Sequence, residues 1–244
     1  MSNVNKGISC GLKINLSLPY VIAFLALTIL CGTSHEFVHH FVGAAFCGCF
    51  GYKTFNSFEL CSSCAGNRLA FIAATWAGPL FTYGLMWLGV YRLSKPSTAA
   101  RQLGFALIFA NFPINRIGFA LIGWNDEQYV TNKIFGHSPL GFWLTNLAIW
   151  ILAIPPLLFA YRSITNRHRV LWFIGFFVLP FVFVFVFAGM FLEQWLLLDR
   201  KFLAVPIIGI PYLILLVEVL SIIVLAIFRH GITTAGSRGN LLSA

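Results

Sequence analysis

Residues 16–46 read LSLPYVIAFLALTILCGTSHEFVHHFVGAAF. This stretch exceeds the roughly 20 apolar residues that cross a bilayer, so it predicts a first transmembrane helix with room to tilt or bend. Near its end stands His35-Glu36-Phe37-Val38-His39, an HExxH string. On a helix, positions i and i+4 share one face, so the two imidazoles can converge on a single metal ion. Glu36 stands beside them as the candidate base for a metal-bound water. Ionisable groups inside a span are costly and mark function by default.

The rest of the chain repeats the apolar pattern. Of 244 residues, 59% are hydrophobic and only 9% are charged, against roughly 25% charged in soluble domains. Further apolar runs cover about 69–93, 100–123, 140–161, 170–192 and 202–228. The expected fold is all-α, a polytopic membrane helical bundle of about six transmembrane helices. It forms a single integral membrane domain over 1–244, with a metal-site core at about 16–130 and accessory helices at about 139–228. Continuous runs, rather than alternating ones, argue against a β-barrel. The run from Leu16 to Cys31 follows Lys6 and Lys13 but leads directly into the metal motif, so it reads as a retained span and not a cleaved signal.

The formal charge is +9. Its basic residues cluster in short loops, which points to membrane orientation and not to nucleic acid. Six spans put both termini on one side. That side gathers Lys6, Lys13, Arg92, Lys95, Arg101, Arg162, Arg167, Arg169, Arg229 and Arg238, whereas Lys53, Arg68, Lys133, Arg200 and Lys201 lie opposite. The bias predicts cytoplasmic termini, with the end of span 1 and the end of span 3 together on the outer face.

That shared face supplies a third ligand. A catalytic zinc takes three protein ligands and keeps one position open for water. Asp126, just beyond span 3, is the first choice to join His35 and His39; Glu127, His40 and His137 are the alternatives. Asn111 and Asn115 sit one helical turn apart and could orient a substrate backbone or an oxyanion, or else bond neighbouring helices. Arg116 needs a partner inside the span, with Asp126 and Glu127 the candidates.

The pattern resembles the site-2 protease family of membrane-embedded zinc metalloproteases. The residues that carry it are His35, Glu36 and His39, then Ala77-Gly78-Pro79 in the next span, then Asn111-Phe112-Pro113 in the third. Where family members continue with Leu-Asp-Gly, this chain reads Ile114-Asn115-Arg116, and its first acid is Asp126. The resemblance implies Zn2+ as cofactor, Glu36 as the catalytic residue, and membrane lipid and a membrane protein or peptide substrate as partners. A compact six-span chain without a targeting sequence suits a bacterial inner membrane.

Between spans 1 and 2 lie Cys47, Cys49, Cys61 and Cys64. Such spacing could close a structural zinc site or, on an oxidising outer face, form two disulfides with three possible connectivities. Cys10 and Cys31 have no evident partner. Glu218 stands alone in span 6 and is expected to be neutral or paired across spans. The run from Phe173 to Phe187 reads as lipid-facing or packing surface.

Two other functions compete with hydrolysis. His35, His39 and His40 also spell an HxxxHH box like those of membrane di-iron hydroxylases and desaturases, but that family uses more imidazoles than the six in this chain. A protease-like fold could also bind a client without cutting it.

Overall fold

The computed structural model describes residues 11–64 and 66–234. Lys6, Cys10 and Arg238 lie outside the described residues. The fold is all-α, with six helical passages long and apolar enough to cross a membrane, the mark of an integral membrane protein.

Helix α1 (Leu18–Cys47) begins where the Ser17 hydroxyl accepts from the Tyr20 amide and ends at Gly48, in the left-handed conformation with φ 70°. His35 is about 26 Å along the axis from Leu18, with about 18 Å of helix still to follow. The motif is therefore buried within the helix and not at its tip. Helix α2 (Arg68–Leu93) packs against α1 and against α3 (Thr98–Ala110). The α2–α3 contact is close because both partners are small: a Cβ on Gly89 would come within 2.7 Å of the Gly104 carbonyl oxygen.

The third passage is not one helix. Pro113 lacks an N–H and pushes the residue before it out of the α region. Phe112 leaves the α region but takes φ 31°, ψ 68°, left-handed and not the extended conformation usual before proline, and the chain divides into α3 and α4 (Pro113–Ile122). Asn111 closes α3 and Asn115 lies in the first turn of α4, so they do not share one helical face. Gly123 (φ 75°) stops α4. Asn125 then caps α5 (Asp126–Phe135), its side chain accepting from the Gln128 amide.

Helix α6 (Pro139–Ser163) starts at a Ser138 cap. Helix α7 (Arg169–Phe183) widens into a π-helical continuation (Val184–Asp199). That passage outlasts the expected end at residue 192 because Glu193 finds partners in the α1–α2 loop: Thr54 Oγ1 donates at 3.0 Å, and Asn56 also donates. The expected start of the last span at 202 is likewise corrected. Residues 201–211 hold a small hairpin, β1 (Pro206–Ile207) paired with β2 (Ile210–Pro211), turning at Ile208-Gly209 with positive φ at both. Only then does α8 (Tyr212–Thr234) begin, and it packs along α1.

The core is aromatic at one end. Phe176 meets Phe24 at 5.2 Å and Phe105 at 5.0 Å, edge to face. Residues 12–14 are bonded to the α6–α7 turn, with the Leu12 amide 2.6 Å from the Ser163 carbonyl and the Ile14 amide 2.8 Å from Asn166 Oδ1. The opposite end carries the α1–α2 loop, closed by disulfides Cys47–Cys64 and Cys49–Cys61. The Lys53 amide donates to the Gly209 carbonyl at 2.9 Å, which docks this loop on the hairpin.

Candidate metal centre

Three helices meet at the motif. His35 and His39 project from α1, separated by one turn. Asp126 arrives from the first position of α5, where an acid is favoured by the helix dipole. His35 Nε2 lies 2.9 Å from His39 Nε2 and 3.3 Å from Asp126 Oδ2, and His39 Nε2 lies 3.7 Å from the same oxygen. A tetrahedral ion about 2.05 Å from each ligand would set its ligand atoms about 3.3 Å apart. The group could therefore hold a metal ion.

The hydrogen bonds explain why a cation fits here. His39 Nδ1 lies 2.7 Å from the Ala74 carbonyl, which only accepts, so the ring carries its proton there. His35 Nε2 lies 3.0 Å from Arg116 Nη2, which only donates, so the His35 proton sits on Nδ1, 2.9 Å from Thr82 Oγ1. Both Nε2 lone pairs and a carboxylate oxygen then face one another in a buried space. The Arg116 guanidinium is the cation already against two of these atoms, 3.0 Å from His35 Nε2 and 3.2 Å from Asp126 Oδ2, so a metal ion would take the His35 lone pair in its place. Outer partners such as Thr82 and the Ala74 carbonyl fix metal-binding tautomers.

Helix α2 makes the space. A Cβ at Gly78 would overlap His39 Nε2 and lie 2.7 Å from His35 Cε1. Gly78, part of the Ala77-Gly78-Pro79 element that carries the resemblance, thus gives both rings room. Arg116 is buried and lies 3.2 Å from Asp126 Oδ2 and 3.5 Å from Glu127 Oε2. Glu127 turns away from the trio and accepts from Tyr83 Oη at 2.6 Å. His40 bonds the Ile208 carbonyl at 2.9 Å. His137 is exposed in the α5–α6 turn. Among the described residues, the metal-capable group is His35, His39 and Asp126, without Glu127, His40 or His137.

Glu36 borders two cavities. One, about 210 Å³, has His35, Asn115, Arg116, Phe119, Phe181 and Phe185 in its lining. The second, about 440 Å³, is lined by Asp126, Thr75, Asn56, Ser57 and Phe58. Asn115 thus faces the site, whereas Asn111 donates to the Leu107 carbonyl within its own helix at 2.7 Å.

The loop over the site holds two residues whose place beside the motif the sequence did not show. Phe58 stacks on His39, ring centroids 4.5 Å apart and nearly parallel. Lys53 is fully buried and places its ammonium 4.3 Å over the Phe37 ring. Burial lowers its pKa to about 8, against the opposing pull of Glu36, Glu218 and Glu193. Glu218 of α8 accepts from Thr33 Oγ1 at 2.5 Å, so the last helix also reaches the wall beside the motif. The cysteine pattern flanking Lys53 was the one available sign that this loop is built inward.

Comparison with known proteins yields no matching family model, no matching curated protein and no matching solved structure.

Proposed function

We propose that this chain is a membrane-embedded zinc-dependent hydrolase, a metalloprotease that cuts membrane-associated peptides. The observation that carries the reading is the convergence of His35 Nε2, His39 Nε2 and Asp126 Oδ2 beside a glutamate that borders two cavities. Bound zinc would supply a Lewis acid and lower the pKa of a bound water. Glu36 accepts the proton of the attacking water and delivers it to the leaving nitrogen. Thr82 and the Ala74 carbonyl hold the ligand rings in one tautomer. Arg116 balances the charge of Asp126 and Glu127.

The charge bias between loops supports cytoplasmic termini, with the metal centre nearer the outer face; a bacterial inner membrane is the setting we propose. Two disulfides in the loop over the site support an oxidising environment on that face. The di-iron alternative loses ground because His40 bonds a backbone carbonyl and His137 stands outside the group.

The test pairs metal analysis with turnover. Purified protein should hold one zinc per chain, and Glu36→Gln should keep that zinc while losing at least about 99% of peptide cleavage. Full cleavage by Glu36→Gln would end the hydrolase reading, and two irons per chain would replace it with the oxidoreductase.

A further inference from the structure

The cavity that holds Glu36 and Asp126 does not end at the metal centre. Leu60, Phe71 and Tyr129 line it and also line a neighbouring hollow of about 550 Å³. The two spaces meet at this shared wall, where the rings of Phe71 and Tyr129 pack edge to face at 5.3 Å. Their chemistry differs. The inner space has Glu36, Glu59 and Asp126 in its lining, whereas the outer hollow has Arg68, Lys133, Asn67 and Ser62 and no carboxylate.

The outer hollow is rigidly built. Cys61 and Cys64 line it, one from each disulfide, so its roof is covalently tied to the end of α1. Arg68 opens α2 and donates to the Ile134 carbonyl at 3.2 Å, which draws its guanidinium to the end of α5 that carries Lys133. Two cations from separate helices thus face one space, which adjoins the metal cavity across the Leu60, Phe71 and Tyr129 wall.

We infer that the hollow between Arg68 and Lys133 is a recognition subsite for an acidic side chain, Asp or Glu, of the substrate polypeptide. This rests on the hydrolase reading above. A chain lying across Glu36 can continue past Phe71 and Tyr129, and a carboxylate there meets two donors and no competing acid. The subsite would fix which bond is presented to the metal centre and exclude segments bearing Lys or Arg at that position.

The experiment uses the full-length zinc-loaded protein carrying Glu36→Gln, in nanodiscs of zwitterionic lipid. Fluorescent peptides carry a single Glu scanned along an otherwise neutral sequence, with Gln controls. Binding should tighten about five- to tenfold at one register, as two partly exposed ion pairs allow. Arg68→Glu with Lys133→Glu should move that preference to Lys at the same register. Lys133→Glu alone, at an exposed position, should abolish the preference for Glu. The Glu36 enzyme should show the same register in its cleavage rates. Equal binding of Glu, Gln and Lys peptides at every register would overturn the subsite, even if the enzyme cuts them all. If the enzyme cuts nothing, the hydrolase reading fails, and the binding arm still decides the subsite. If these substitutions change binding of vesicles containing anionic lipid and leave peptide binding alone, the hollow serves a lipid headgroup and the inference is wrong.

Discussion

Gly78 shows how much can hang on one missing side chain. His39 Nε2 and His35 Cε1 lie against α2 at this position, and only a residue without a Cβ lets that helix come so close. Gly78→Ala should therefore displace His39 and weaken zinc binding by about ten- to a hundredfold, as loss of an orienting neighbour does in other zinc sites; competition with a chromogenic chelator measures it. Unchanged affinity would mean that the rings take their positions independently of α2. Lys53 gives a second test at this scale. Its pKa falls from 10.5 to about 8 on burial, so between those values the unfolded chain binds a proton that the folded chain has released. Stability should then rise with pH from about 8 to about 10.5. Thermal melts of the detergent-solubilised protein should show that rise, and Lys53→Met should flatten it. The sequence marked Lys53 only as a loop charge, because burial of a lysine depends on what folds over it.

The broken third passage is the element that assembles the site. A straight helix through residues 98–122 would be set by hydrophobicity alone. Pro113 and Gly123 interrupt it, and the Asn125 cap starts α5 so that its first residue faces α1. Pro113 and Gly123 are legible breakers in the sequence, but the direction in which α5 returns is not, since it depends on packing against α2 and α6. The disulfide loop is the second decisive element. Cys47→Ser with Cys64→Ser should lower stability by about 2–4 kcal/mol, and Phe58 should leave the His39 ring with the loosened loop. Denaturation melts read the first effect, and chelator competition reads the second as weaker zinc binding. A variant with wild-type zinc affinity would show that the loop covers the site without shaping it.

For the whole molecule, even helix parity puts residues 11–17 and the α6–α7 turn at one end, and the metal centre nearer the other. Orientation in the membrane can be tested by thiol labelling of intact cells, in a background with Cys10 and Cys31 replaced by Ser. Lys201→Cys should react with an impermeant maleimide from outside, and Arg167→Cys only after permeabilisation. The reverse pattern would invert the proposed topology. The sequence by itself determined the all-α membrane class, the positions of most spans and the paired imidazoles, because apolar length and an i, i+4 spacing are local properties that a bilayer and a helix convert directly into structure. Tertiary structure alone decided which acid joins the pair, which of Asn111 and Asn115 faces the cavity, how the four loop cysteines pair, and that 201–211 forms a hairpin. Each of those depends on contacts between segments far apart in the chain, where a few ångströms of packing separate Asp126, set against the two imidazoles, from a neighbour such as Glu127 that turns to Tyr83.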